Sequence, residues 1–544
     1  MKLFKKTLLA FSIAVLASAC SDDNSDSNNP AELPDSTGTP QQQEDHLGIS
    51  SAQSKSSWFE EGQKAVAAAS AEEINNTPGA AKNIILFVGD GMGISTVTAA
   101  RIFAGQKLGL DGEEYQLSFE KMPYAGLVKT YNTNQQTADS AGTMTALVTG
   151  VKTKAGVLSV AEDVARGDCT ASLDRPLTTS LELAEELGKS TGIISTARIT
   201  HATPAATYAK VPEREWEYTA PDGCRDIATQ LVELQAGDGI DLVMGGGRRN
   251  FLPSDQKDLE DKDGKRTDGR NLIEEWKERY SDGVTTSVYV EDKTAFDQLD
   301  VANTDKLLGL FNASHMRYEA DRANDVAGEP SLSEMTAKGL AMMQKNDKGY
   351  FLMVESGRID HGHHANNAFN ALSDAEEFAK AVQVAMDSTN AEDTLIIVTA
   401  DHSHVMTIAG GTTRGNPILG KVIKNDGSGL PEETPKLDKE GLPYTTLNYA
   451  NGRGFADNGD NTDADDRYDG DIVAGRQDLT GIDTTAPGFH QEALIPLSGE
   501  THGGEDVGVW ARGPGAHLVS GTNEQNYLFH VMARAGGLLE QSAE

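Results

Sequence analysis

The sequence predicts an α/β fold built on a mostly parallel sheet, on three observations. From Lys82 onward, short apolar runs alternate with segments of helical periodicity, the pattern of parallel strands joined by crossover helices. Acidic and histidine residues stand just past the carboxyl ends of several of these runs, the edge at which open parallel sheets gather ligands. No fixed repeat is visible, and nothing after residue 20 is apolar for long enough to cross a membrane.

Strands are expected at 83–88, 191–195, 241–244, 350–354 and 394–399, with a further one at 507–511, because each is a short run rich in β-branched or large apolar residues. Helical spacing of apolar residues appears at 181–187, 271–279, 332–345 and 373–388. With 544 residues, 38% of them hydrophobic, the chain can bury one large core with insertions. Its net charge of −36 excludes a nucleic-acid partner, since no basic surface is available to neutralise phosphates.

The N-terminus predicts export. Lys2, Lys5 and Lys6 precede an apolar stretch at 8–16 that is too short to span a bilayer and ends in small residues, so 1–19 is expected to be a signal peptide. Leu16-Ala-Ser-Ala-Cys20 resembles the bacterial lipoprotein box, with Ala17 where that box prefers leucine; Cys20 is then the lipidation site, ordinary cleavage beside it being the alternative. Ser21 after Cys20 favours outer-membrane sorting in a host with two membranes, and a periplasmic protein follows if the cysteine is not processed. Residues 20–58, rich in Ser, Asp, Asn, Pro and Gln, are expected to be a tether that cannot bury enough surface to fold. Export leads to an oxidising compartment, where pairing of Cys169 with Cys224 is the simplest expectation and two separate buried thiols the alternative.

Two histidine clusters suggest metals. Residues 355–364 read Glu355-Ser-Gly-Arg-Ile-Asp360-His361-Gly-His363-His364, and 401–404 read Asp401-His402-Ser-His404, together five of twelve histidines. Imidazole mixed with carboxylate is the donor set of zinc and its neighbours. Asp90 follows the first strand, and His201 and Thr203 come a few residues after the second. One such residue would be an ordinary turn or cap; four coincidences point to a shared crevice. The run Thr137-Ala-Asp139-Ser140-Ala-Gly-Thr143-Met144 opens a helix whose N-terminus can hold an anion, which makes Ser140 a candidate nucleophile once a cation lowers its pKa.

Together these motifs resemble the alkaline phosphatases, metal-dependent phosphomonoesterases, from about Lys82 to Gly537. Residues 83–93, Asp139-Ser140-Ala141, the loop Ser195-Thr-Ala-Arg198-Ile-Thr-His201-Ala-Thr203, the two histidine clusters and Glu500-Thr-His502-Gly-Gly-Glu-Asp506 carry the likeness. The resemblance implies a three-layer sandwich over residues 59–544, with a crown-like insertion at about 412–497, and a homodimer. It implies two zinc ions, the first on Asp360, His364 and His502, the second on Asp90, Asp401 and His402, and one magnesium on Asp90, Thr203 and Glu355. Ser140 would be the phosphorylated nucleophile and Arg214 the phosphate clamp. Phosphate monoesters of varied alcohols would be the substrates, with an alkaline optimum; a related phosphodiesterase or a silent phosphate- or metal-binding envelope protein are the alternatives. A sulfatase is disfavoured, because the Cys/Ser-x-Pro-x-Arg motif is absent.

Departures from the family pattern are few. Thr137 and Met144 stand where the serine motif usually has Val or Ile and a small residue. His201 and His361 occupy positions that are Asp and Lys in some bacterial members, beside the metals rather than on them. His363 and His404 have no assigned metal and are expected to hydrogen-bond to the ligands. The acidic run at 456–466 lacks EF-hand spacing and is expected to be a solvated loop.

Overall fold

The computed structural model describes residues 74–539, which belong to one compact unit. The signal peptide at 1–19, the tether at 20–58 and Cys20 lie outside the described residues. Ten strands form the central sheet: β1 (Asn83–Gly89), β2 (Tyr124–Lys129), β3 (Ser190–Arg198), β4 (Leu242–Gly246), β5 (Ser287–Val290), β6 (Lys306–Leu310), β7 (Tyr350–Ser356), β8 (Thr394–Ala400), β9 (Val507–Arg512) and β10 (Gly521–Glu524). Their order is β10-β2-β9-β8-β1-β7-β3-β4-β6-β5. Every neighbouring pair is parallel except those made by β9, which runs against both β8 and β2.

Six helices matter for the site: α1 (Ile94–Lys107), α2 (Ser140–Thr149), α3 (Leu332–Met343), α4 (Arg358–His364), α5 (Ala368–Ser388) and α6 (Tyr527–Gly536). α1, α3 and α5 pack together over one face of the sheet, and α2 with α6 over the other, giving three layers. The central strands are therefore buried on both faces, which is why β7 and β8 read as unbroken apolar runs. Caps fix where helices begin: Ser331 and Glu334 form a capping box on α3, and Asn367 accepts from the Asn370 amide at the start of α5, each worth about 1 kcal/mol.

Register sets the site. β1 lies between β7 and β8, with Val88 opposite Glu355 and Gly89 opposite both Ser356 and Ala400. Asp90 and Asp401 thus leave neighbouring strands at the same level. Glu355 is the next-to-last residue of β7 rather than a residue beyond it. β3 borders β7 on the other side, with Ser195 opposite Glu355.

The region expected as an insertion supplies two strands, Leu447–Gly452 and Ala493–Pro496, of a small sheet completed by Met406–Ile408 just before it. Its acidic run is not simply solvated, as the sequence suggested. Asp463 takes an ion pair from Arg317 at 2.8 Å and Asp465 one from Arg358 at 2.8 Å, so distant arginines dock this loop against the body. Cys169 and Cys224 form a disulfide with 5.9 Å between Cα atoms. Among the described residues no helix is long and apolar enough to cross a membrane.

Candidate metal centre and nucleophile

Three buried carboxylates converge at the carboxyl edge of the sheet. Asp401 Oδ1 accepts from the amides of Gly91 at 3.0 Å and His402 at 2.8 Å. Asp90 Oδ2 accepts from the Thr203 hydroxyl at 3.3 Å, and Glu355 Oε2 from Ser195 Oγ. Asp90 Oδ1 and Glu355 Oε1 are buried with no hydrogen-bond partner. Burial first, then the neighbouring carboxylates, pushes Asp90 well above its ordinary value; burial is also the main cause that lifts Glu355 to about 8 and raises Asp401. Such a cluster is neutralised either by protons or by cations.

The imidazoles around it select cations. His502 Nδ1 donates to the Ala138 carbonyl at 2.7 Å and His364 Nδ1 to the Glu500 carbonyl at 2.6 Å. Both Nε2 atoms are then lone pairs, yet they face each other at 3.2 Å and lie 3.5 and 3.3 Å from Asp360 Oδ1. Acceptors at that spacing repel unless a proton or a cation is shared among them, and the backbone carbonyls fix the ring orientations as they do for metal-bound histidines. A second set joins Asp90, Asp401 and His402, whose Nε2 is 3.4 Å from Asp90 Oδ1 and 3.3 Å from Asp401 Oδ2. The third gathers Asp90, Glu355 and His201, with Thr203 beside them through its bond to Asp90. The nitrogen-and-oxygen donors of the first two sets suit zinc, while the third is richer in oxygen but not purely so.

His404 and Glu500 tie the first set together. His404 Nε2 is 2.7 Å from Asp360 Oδ1 and Nδ1 is 2.5 Å from Glu500 Oε2. Burial opposes charge on His404, but the Glu500 and Asp360 carboxylates outweigh it and lift the ring to about 10. Gly91, at φ +68°, lies under this ring: a Cβ there would sit 2.3 Å from His404 Cδ2, so only glycine fits. His363 instead bonds Thr96 at 2.9 Å and Tyr449 at 2.8 Å.

Ser140 opens α2, its Oγ 3.1 Å from His402 Nε2 and the residue 2% exposed. Asp139 caps the helix by accepting from the Gly142 amide at 3.2 Å, and also takes the Gly156 amide at 2.8 Å and Asn132 Nδ2 at 3.0 Å. Arg214 donates to Asp139 Oδ2 at 3.2 Å and to His201 Nε2 at 3.2 Å. Burial works to raise Asp139, yet Arg214 and the two amides leave it below the usual carboxylate value. The guanidinium is thereby held one residue from the serine, with N–H groups still uncommitted.

Beside Arg214 three imidazoles pack together. Ring centroids of His315 and His361 are 4.1 Å apart, those of His201 and His315 5.3 Å, and those of His201 and His361 5.6 Å. Each faces an arginine held by a carboxylate: Arg214 with Asp139 on His201, Arg198 with Glu217 on His315, Arg358 with Asp465 on His361. Burial, reinforced by Arg358, pushes His361 down to about 3. His315 was not singled out in the sequence, because a lone histidine after a strand carries no pattern. Glu500 was visible only as a neighbour of His502.

The alkaline phosphatase family model matches residues 81–538. The chain is 44% identical over 469 residues to the tissue-nonspecific alkaline phosphatase isozyme of Gallus gallus, covering 84% of each protein, and 42% identical to the Homo sapiens isozyme, covering 84% of this chain and 83% of that one. It is 39% identical to a membrane-bound alkaline phosphatase of Bombyx mori, covering 89% of this chain and 86% of that one. Among solved structures, the alkaline phosphatases of Thermus thermophilus (TM-score 0.59, 23% identity, 86% of this chain and 94% of that one) and of the Antarctic bacterium TAB5 (TM-score 0.57, 23% identity, 86% and 100%) share the fold. This chain belongs to the alkaline phosphatase family.

Proposed function

We propose that the chain hydrolyses phosphate monoesters to alcohol and inorganic phosphate through a phosphoserine at Ser140. What supports this most is the placement of Ser140 Oγ 3.1 Å from His402 Nε2, at a helix N-terminus, with Arg214 anchored on the adjacent Asp139. Asp360, His364 and His502 would hold one zinc, Asp90, Asp401 and His402 a second, and Asp90, Glu355 and Thr203, with His201 near, a magnesium. When bound, such ions lower the pKa of the serine hydroxyl and of water and offset charge on the leaving oxygen.

Ser140 Oγ attacks phosphorus in line; the Oγ–P bond forms as the bond to the alcohol oxygen breaks, and the alcohol leaves with a proton. Water then attacks the phosphoserine from the vacated side, freeing Ser140 and inorganic phosphate. Arg214 spans two phosphoryl oxygens as a planar fork, fixing the group for both displacements. Recognition rests on the phosphoryl group, so varied alcohols are accepted, and turnover rises toward alkaline pH as the serine and water deprotonate.

We further propose export by the 1–19 signal, with Cys20 lipidated and 20–58 as tether to the outer membrane or periplasm. Two chains would pair through the 412–497 insertion, where Leu494, Ile495 and Leu497 stand exposed. The test is hydrolysis of a simple aryl monoester with zinc and magnesium supplied, and its loss on chelation. Preference for a diester would favour the phosphodiesterase reading instead.

A further inference from the structure

The acidic run at 456–466 and the residues that follow it reach the edge of the site. Thr462 Oγ1 donates to Asp321 at 2.7 Å, and Asp463 accepts from Arg317 at 2.8 Å and from the Asp465 amide at 3.0 Å. Asp465 Oδ1 accepts from the Tyr318 hydroxyl at 3.0 Å, while its Oδ2 takes Arg358 Nη2 at 2.8 Å. Tyr468 then donates to the His361 carbonyl at 2.9 Å. Arg358 is only 3% exposed, lies 3.6 Å over the Tyr318 ring, and passes its other terminal nitrogen to His361 Nδ1 at 3.1 Å.

A guanidinium can only donate, so the His361 Nδ1 it faces must accept. That contact fixes the ring beside His201, whose own Nε2 meets Arg214, the proposed phosphate clamp. Asp465 is the acceptor that keeps the buried Arg358 turned this way. Without it, Arg358 keeps its charge but loses its carboxylate partner, and swings from His361 toward other acceptors. We propose that Asp465 is a positioning residue for phosphate: acting through Arg358, it holds His361 in place and so strengthens binding of inorganic phosphate and of the phosphoryl group of substrates. This rests on the phosphomonoesterase reading above.

Two effects of removing Asp465 have opposite signs, which makes the idea decidable. Losing a negative charge alone would tighten phosphate binding, and salt would screen that gain. Losing the position of His361 would weaken binding at any salt. Asp465→Ala and Asp465→Asn, in the full metal-loaded enzyme, should raise the inhibition constant of inorganic phosphate and KM together, roughly fivefold for the worth of one ordered hydrogen bond. The rise should persist at high salt with kcat within about twofold, and Asp465→Glu should recover most of it. Tyr468→Phe, a milder change, should move the phosphate constant in the same direction by less. Titration calorimetry with inorganic phosphate should reproduce the ratio without turnover. A phosphate constant that falls, or one unchanged in well-folded Asp465→Ala, overturns the proposal. The phosphomonoesterase reading fails separately, if wild-type enzyme does not hydrolyse monoesters.

Discussion

Replacing Arg214 by alanine measures how much of the chemistry the guanidinium carries. Of its five N–H donors, one on Nη1 is committed to Asp139 and one on Nη2 to His201, and Nε faces Glu215 at 3.9 Å, which leaves one on each terminal nitrogen for a substrate. Two charge-assisted bonds to phosphoryl oxygens, at about 1.5 to 3 kcal/mol each before water replaces them, amount to a net loss of about 3 kcal/mol, or roughly a hundredfold in kcat/KM. Asp139 would keep its bonds from Gly142, Gly156 and Asn132, so the start of α2 should survive. Arg214→Lys retains charge without the fork and should lose about tenfold. The assay is steady-state hydrolysis of an aryl phosphate at fixed salt, with metal content and melting checked for each variant. If Arg214→Ala stays within about threefold of wild type, the assignment of Arg214 as phosphate clamp is wrong.

Glu185, buried against Thr191 at the opening of β3, should make the protein less stable as pH rises. Burial, then Asp241, lifts its carboxyl to about 8 against Thr191 and Lys306. Because the folded value lies above the unfolded one, the folded chain binds the extra proton between them, and stability falls as pH climbs through about 8, by at most about 5 kcal/mol. Glu185→Gln should therefore gain on wild type in denaturant midpoint between about pH 5 and pH 9; a constant gap would refute the burial argument. Breaking the Cys169–Cys224 disulfide, which closes a separation of 55 residues, should cost about 4 kcal/mol if the chain-entropy account holds. An unfolding midpoint indifferent to reductant would show that the link does not constrain the unfolded chain.

The parts legible in the sequence are those whose signal is local. β1, β7 and β8 are buried on both faces, so each is a continuous apolar run, and the polar residues near their ends could be assigned to one sheet edge from that alone. β2 escaped because most of its alternate residues are partly or fully exposed, and β10, Gly-Thr-Asn-Glu, has no apolar side chain at all. α1 is packed on several sides and shows almost no amphipathic stripe, so periodicity could not find it. Antiparallel β9 was visible as a strand but not in direction, which depends on its partners. Within the site, the residues missed are those defined by distant contacts: Glu500 meets His404 across 96 positions, and Arg198 meets His315 across 117. The acidic run misled for the same reason. Its composition suits solvent, but Arg317 and Arg358 lie more than a hundred residues away and convert it into a docked loop.

The most direct measurement is to find the phosphate. Metal-loaded wild-type protein quenched in acid during turnover of an aryl phosphate, then digested and weighed by mass spectrometry, should carry a phosphoryl group on the peptide containing Ser140. Ser140→Ala should carry none and should have lost nearly all turnover. Full turnover in Ser140→Ala, or a phosphoryl group trapped on another residue, would contradict the account.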